Sequence, residues 1–218
     1  MDAMALDILY EDNHVLVAVK PCNVPSQADS SGDMDMLSLC KAYIKEKYQK
    51  PGAVYLGLVH RLDRPTGGVM VFARTSKAAA RLSEQVRCHA MQKTYRLRTA
   101  NGPADESGIL VDTLQKGADG MVRAVPADTP GGKYAELSYQ VLERMPGGGS
   151  VCEVALHTGR AHQIRVQFAS RGWPLAGDAR YGSGGRQLAL WAYRLSFLHP
   201  TRKERMTFTA PVPPELLR

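Results

Sequence analysis

The sequence predicts an α+β fold with a large mixed or mostly antiparallel sheet and a few flanking helices. Strand-like alternation recurs along most of the chain, and only three segments have helical periodicity. Strands and helices do not alternate regularly, as a doubly wound sheet requires. The chain has 218 residues, which is enough for one sizeable core. No linker divides it, so we expect a single domain over residues 1–218.

In the first half of the chain, periodicity and capping residues define the predicted elements. An apolar stripe from Leu37 to Tyr48 indicates a helix, and Thr75 or Ser76 is placed to cap another. Short apolar runs between turn residues indicate strands. The predicted elements are two short strands within 8–20, a loop over 21–33, a helix over 34–49, a strand over 54–59, a loop over 60–68, a strand over 69–73 and a helix ending near 89.

In the second half, glycine and proline clusters separate the predicted strands. Gly131-Gly132 and residues 146–149 are typical of hairpin breaks, and Gly172 is placed to end a short helix. The predicted elements are strands over 93–99, 134–142 and 151–157, a helix over 161–171, and strands over 188–198 and 206–210.

Charge is unevenly distributed along the chain. Residues 1–40 contain seven acidic residues and one basic residue, a net charge of −6, whereas residues 41–218 contain 27 basic and 14 acidic residues, a net of +13. A basic surface suits a polyanionic partner such as RNA.

The cysteines form no C-x-x-C pair, which favours buried free thiols over a zinc site. They are Cys22, Cys40, Cys88 and Cys152.

No apolar run approaches the roughly 18 residues that span a bilayer. The first eleven residues lack the basic region that begins a signal peptide. We therefore expect a cytoplasmic protein without a membrane partner, and a monomer by default.

The segment HRLDRPTGG, residues 60–68, gathers charged side chains between two apolar strands. Arg61 and Arg64 flank Asp63, and their positive charge would keep its carboxylate ionised and suited to nucleophilic chemistry. By composition alone, a surface turn with ion pairs fits this segment as well.

A second charged segment, HTGRAHQIR, occupies residues 157–165. Arg160 and Arg165 could face a phosphate or a buried carboxylate near the start of the predicted helix. His157 and His162 are five residues apart, which is not the i, i+4 spacing of a helical zinc pair. No metal site is expected here.

Taken together, the motifs resemble those of the RluA family of RNA pseudouridine synthases. HRLDRPTGG is similar to the family's HRLDxxTSG signature, and GRAHQIRVQFASRGWPLAGDARYG is similar to its GRTHQIRxHxxxxGxPixGDxxYG block. Further segments resemble the family in the same order along the chain. They are ILYEDNHVLVAVKPCNVPSQAD, QKTYRLRTA and LALWAYRLSFLHPTRKERMTFTAP.

The resemblance implies a pseudouridine synthase fold with a central active-site cleft. It also implies cofactor-free isomerisation of specific uridines in structured RNA, either ribosomal or transfer RNA. Asp63 matches the family's catalytic aspartate, Tyr95 the tyrosine against the target base, and Arg165 the arginine that pairs with the aspartate. Residues implied in RNA binding or site support are Arg61, His60, Leu62, Arg64, Thr66, Arg160, His162 and Gln163.

The chain departs from the family pattern at Gly67, Ala161, Gln167 and Trp191. We expect these departures to affect RNA contacts and substrate choice more than activity. The S4 RNA-binding module of many relatives is expected to be absent, which favours a small stem-loop or transfer RNA. Two alternatives remain open: a non-catalytic RNA-binding protein of the same fold, and a sugar hydrolase, which normally requires two carboxylates flanking the bond.

Overall fold

The computed structural model describes residues 6–217. The first eleven residues are not expected to form a signal peptide, and the first five of them lie outside the described residues. Within residues 6–217 the chain forms eleven strands and three α-helices, which confirms the α+β prediction. The elements are β1 (Asp7–Glu11), β2 (Val15–Lys20), α1 (Met36–Lys47), β3 (Gly57–Leu58), β4 (Gly67–Ala73), α2 (Ser76–Arg87), β5 (Gln92–Thr99), β6 (Ser107–Lys116), β7 (Val122–Val125), β8 (Lys133–Arg144), β9 (Ser150–Leu156), α3 (Gln163–Ala169), β10 (Leu190–Leu198), β11 (Arg205–Thr209) and a 3₁₀ turn (Pro214–Leu216).

The chain divides into two compact units. The first unit contains the residues up to 91 together with 192–210, and the second contains 92–191 and the residues from 211 onward. The single domain expected over residues 1–218 stays a prediction.

Across the described part of the chain, no helix is both long enough and apolar enough to cross a bilayer.

Strands of the first unit lie in the order β1-β2-β4-β10, with β3 beside β4 and β11 beside β10. β2 is antiparallel to both β1 and β4. Nearly every residue of β2 and β4 is buried, which explains why both strands are continuous apolar runs. Lys20 at the end of β2 pairs with Gly68 at the start of β4. The pairing of β2 with β4 therefore fixes the C-terminal end of the 60–66 loop, where β4 begins.

Both longer helices of the first unit have side-chain N-caps. Asp35 accepts a hydrogen bond from Ser38 N (3.0 Å), and Thr75 accepts one from Ala78 N (3.1 Å). The second bond confirms Thr75 as the cap of α2. The structure corrects the predicted bounds. α1 is shorter than predicted by two residues at each end, α2 is shorter by two residues at its C-terminus, and the strand predicted over 54–59 is reduced to β3.

In the second unit, five strands form an antiparallel series in the order β5-β9-β8-β6-β7. Buried and accessible residues alternate along β8, as in a sheet with one covered face. α3 covers part of that face, because Val166 packs with Leu114, Val122 and Ala135. This packing places the helix that carries Arg165 against the sheet.

Two strands of the second unit, β6 and β7, were not predicted. Only Leu110 and Leu114 are buried along β6, while Ile109 and Val111 are exposed, so the sequence lacks a clear period of two. α3 is also shorter than predicted, spanning Gln163–Ala169 instead of residues 161–171.

Candidate active site

Asp63 lies in a turn between β3 and β4. Thr66 N donates to Asp63 O (3.0 Å) and closes the turn. The Asp63 residue is half-buried, whereas Arg61 and Arg64 on either side are exposed. The turn therefore separates a partly sheltered carboxylate from two arginines that are open to solvent.

Lys20 is fully buried beside this turn. Its Nζ donates to the carbonyl oxygens of Pro21 (2.9 Å), Val24 (2.6 Å) and Arg64 (3.0 Å). Burial lowers the pKa of Lys20 to about 8, while the nearby negative charge of Asp63 opposes that shift. Lys20 thus joins the end of β2 to the Asp63 turn and places a cation near its carboxylate.

Sequence reasoning did not single out Lys20 as a site residue. A signal was present, however, because Lys20 is the one basic residue among the first 40 and it ends an otherwise apolar strand. A buried lysine is rare unless it has partners, so such a position indicates a structural or catalytic role for the residue.

Two predicted support residues, His60 and Leu62, are both buried in the packing of the turn. His60 Nε2 accepts a hydrogen bond from Val71 N (3.1 Å) of β4. Leu62 N donates to Ser26 Oγ (3.1 Å), which in turn donates to Leu62 O (2.8 Å). The two bonds with Ser26 satisfy the backbone N–H and C=O of Leu62, the residue before Asp63.

Arg64 and Thr66, two further predicted support residues, differ in exposure. The guanidinium of Arg64 contacts Asp29 (3.7 Å) and Asp33 in the 21–33 loop, so its charge is shared with those acids. Arg64 stays a predicted RNA-binding or site-support residue. Thr66 is 2% exposed, and its Oγ1 has no hydrogen-bond partner in the described structure.

Arg165, in the second unit, makes a buried ion pair with a carboxylate, which is one of the two partners expected for it; that Asp178 supplies the carboxylate was not predicted. Its Nε and Nη2 donate to the two carboxylate oxygens of Asp178 (2.8 and 2.7 Å). Asp178 also accepts from the backbone N of Arg180 and Tyr181 (2.9 and 3.0 Å). Burial alone would raise the pKa of Asp178, but the hydrogen bonds from Arg165 and the backbone outweigh it, and the pKa is lowered. The signal for Asp178 lay within the GDARYG part of the second family block.

Tyr181 covers the other side of Arg165. Its ring centroid is 5.1 Å from the guanidinium carbon, within cation–π range. The Tyr181 hydroxyl accepts from Val122 N (3.1 Å) and is 2.7 Å from His162 Nδ1. His162 adopts a left-handed backbone conformation (φ 51°) and contacts this ring edge-on. His162 thereby supports Tyr181, and Tyr181 supports Arg165.

Gln163 is buried and organises the turn before α3. Its Oε1 accepts from Thr158 Oγ1 (2.8 Å) and Arg160 N (2.9 Å), and its Nε2 donates to Glu136 O (3.0 Å). Arg160 also donates from Nε to Tyr134 O (2.8 Å). These bonds place Gln163 as a support and hold Arg160 at two points.

Tyr95 and two of the sequence departures are also buried in the second unit. Tyr95 lies on β5 opposite Val154 and is 7% exposed. Gln167 is fully buried and donates to Leu110 O (3.1 Å) and Asp112 (2.8 Å). Trp191 is also buried. Gln167 therefore bonds within the interior, and the expected effect of the departures on RNA contacts and substrate choice stays a prediction.

The cysteines are only partly as expected. Cys40 and Cys152 are buried, and burial raises their pKa values to about 12 and about 11. Cys88 is exposed, contrary to the expectation of buried thiols, and Cys22 is half-buried. Within residues 6–217, no cluster of three or more histidine, cysteine or acidic side chains could hold a metal ion.

Comparison with known proteins identifies the family. The sequence profile described as RNA pseudouridylate synthase matches residues 14–170. The chain belongs to the RNA pseudouridylate synthase family. Its resemblance to the RluA family is supported by a relative from Neisseria meningitidis serogroup A, named ribosomal large subunit pseudouridine synthase D. The two are 36% identical over 99% of this chain and 60% of the relative.

Other pseudouridylate synthase relatives extend the comparison. A Bacillus subtilis protein named uncharacterized RNA pseudouridine synthase YhcT is 34% identical over 97% of this chain and 70% of its own length. The structure of human RNA Pseudouridylate Synthase Domain Containing 4 has a TM-score of 0.79 at 23% identity, covering 96% of this chain and 90% of that one. That likeness confirms the pseudouridine synthase fold. The chain spans about 60% of the length of the Neisseria relative.

Proposed function

We propose that this protein is an RNA pseudouridine synthase in which Asp63 is the essential carboxylate. The observation that carries the proposal is the construction of the Asp63 turn. Lys20 and Ser26, both buried, hold the backbone on either side of a half-buried carboxylate. A surface turn would not require a buried lysine with three carbonyl partners. A carboxylate positioned in this way suits a nucleophilic role.

The proposed reaction needs no oxidant and no cofactor. The N1–C1′ bond of uridine breaks, the uracil turns, and C5 bonds to C1′, while C5 loses a proton and N1 gains one. Asp63 acts either at C1′, directly or through a glycal, or by addition to C6. Tyr95 is proposed to remove the C5 proton. Arg165 is proposed as the partner of Asp63, with Asp178 fixing its guanidinium.

The target base must leave its stack before this chemistry. Flipping a base costs a few kcal/mol and is easiest in loops. Stacking on an aromatic side chain recovers about 1–3 kcal/mol, a role we propose for Tyr95. Part of the net charge of +13 that residues 41–218 carry would contact phosphates and supply affinity without sequence choice.

Ribosomal RNA is the first substrate to test. The Neisseria relative is named for the large ribosomal subunit, which favours that RNA over the small stem-loop or transfer RNA expected from the sequence. We also propose that the enzyme works in the cytoplasm as a monomer.

The deciding experiment measures tritium release from RNA labelled at uracil C5. The wild-type protein should release tritium from a large-subunit ribosomal RNA transcript, and Asp63→Asn should release none. Asp128→Asn is the matched control, since it makes the same change at an exposed position, and it should keep full activity. Unchanged release by Asp63→Asn would refute the role of Asp63. A wild-type protein that binds ribosomal and transfer RNA but releases no tritium from either would favour the non-catalytic alternative.

A further inference from the structure

Lys93 is a cation of the second unit that no acidic side chain of the described residues balances. It lies on β5 opposite Leu156 of β9, and it is half-buried. Burial lowers the pKa of its amine, and no neighbouring charge contributes to the shift. Across residues 6–217, the Lys93 amine makes no hydrogen bond and no ion pair. Removing an ammonium from water without a partner costs free energy, so a binding anion would explain this position.

Arg160, the residue after a neighbour of Lys93, supplies a second cation. Lys93 Nζ lies 3.6 Å from the point that a Cβ on Gly159 would occupy, so the amine sits beside the residue that precedes Arg160. Arg160 is held through its backbone N and its Nε, and these bonds leave both Nη groups to act as donors. Within the described chain no acid pairs with its guanidinium. An arginine fixed in this way can present two donors to a phosphate.

We propose that Lys93 and Arg160 bind an RNA phosphate next to the target nucleotide, an assignment that rests on the proposed function. Lys93 and Tyr95 project from the same face of β5, about 7 Å apart along the strand. Tyr95 is the side chain proposed to stack on the target base. A phosphate held by the two cations would anchor the backbone of the nucleotide whose base Tyr95 receives. Such a contact positions RNA without reading its sequence.

The test measures RNA binding against salt concentration for Lys93 variants. All proteins carry Asp63→Asn so that the RNA stays unmodified, and the probe is a large-subunit ribosomal RNA transcript. Lys93→Met should weaken binding about tenfold and reduce the slope of log Kd against log salt by about 0.7–0.9. Arg160→Gln should give a similar loss. Lys93→Arg, which keeps the charge, should bind like the parent protein. The matched control Lys45→Met removes an exposed lysine from α1 and should also bind like the parent.

Thermal unfolding separates this role from a packing role. Loss of an unpartnered ammonium should leave the midpoint of Lys93→Met unchanged or higher, whereas a packing role predicts a lower midpoint. The proposal is overturned by a lower midpoint, by an unchanged salt slope in Lys93→Met, or by an equal loss of affinity in Lys93→Arg or Lys45→Met. Tritium release by the protein with Asp63 intact is measured in parallel. No release together with a Lys93-dependent slope would reject the proposed chemistry and retain the phosphate site.

Discussion

At the scale of single residues, Asp178 holds the guanidinium of Arg165 in position. Its carboxylate is buried and accepts two hydrogen bonds from the guanidinium. Asp178→Asn would leave Arg165 charged and without this partner, so the free energy of unfolding should fall by about 3–5 kcal/mol. If Arg165 acts on the reacting groups, kcat should fall about 100-fold because its guanidinium is misplaced. Denaturant titration and tritium release measure the two effects.

Tyr181→Phe is the control for this prediction. It keeps the ring over Arg165 and removes only the hydroxyl that bonds Val122 N and His162. We expect kcat to change by less than about fivefold, since the ion pair is intact. If kcat of Asp178→Asn matched the wild-type value, Asp178 would have no part in positioning a catalytic group.

Lys20 predicts a pH dependence of stability. Its pKa is about 8 in the folded chain and 10.5 without perturbation, so the unfolded chain binds more protons between these values. The contribution of Lys20 to the free energy of unfolding must therefore rise as pH increases from about 8 to 10.5. Lys20→Met cannot titrate and leaves three carbonyl oxygens without a donor, which should destabilise the protein by about 2–4 kcal/mol at pH 7.5.

The measurement is denaturant unfolding of both proteins at pH 7.5 and pH 10. The difference in stability between wild type and Lys20→Met should be larger at pH 10, because the buried amine is then neutral. A difference that shrinks toward pH 10 would mean that the ammonium form is the more stable one in the fold.

At the scale of elements, the start of β4 depends on a glycine. Gly68 has φ +121°, and a Cβ there would lie 2.3 Å from Ala192 O. Gly68→Ala should therefore strain the backbone and push β10 away from β4. We expect a loss of more than about 3 kcal/mol in the free energy of unfolding, together with loss of activity, since β4 follows the Asp63 turn directly. Thermal unfolding and tritium release provide the measurements.

Gly52→Ala is the matched substitution for Gly68→Ala. Gly52 lies outside any element, and nothing stands within 4 Å of its Cβ position. The thermal unfolding midpoint of Gly52→Ala should stay within about 2 °C of the wild-type midpoint. Equal effects of the two substitutions on the unfolding midpoint would show that the close approach of Gly68 to Ala192 does not constrain stability.

How far the sequence predicted these elements depends on the pattern of burial. β2 and β4 were predicted because both are buried on nearly every residue and so are continuous apolar runs. β6 was missed because two of its apolar residues, Ile109 and Val111, are exposed and break the alternation. The motifs located the Asp63 turn and α3, but Asp178 and Lys20 emerged only with the fold. Their importance comes from partners 13 and 44 residues away, Arg165 and Arg64.

At the scale of the whole molecule, the uneven charge predicts how RNA binding responds to salt. Residues 41–218 carry a net charge of +13, whereas residues 1–40 carry −6. Each phosphate neutralised in a single strand contributes about 0.7 to the slope of log Kd against log salt. If on the order of five phosphates are contacted, Kd should weaken about 100-fold between 50 and 200 mM salt.

Asp63→Asn is the appropriate protein for this measurement, because it should bind RNA without converting it. The thermal midpoint of the same protein, followed over the same salt range, is the control. The thermal midpoint should shift far less than Kd does, since several ion pairs of the described chain are solvent-exposed and contribute little to stability. A Kd that is insensitive to salt while the protein stays folded would mean that the basic residues do not contact the RNA backbone. Affinity would then have to come from base contacts alone.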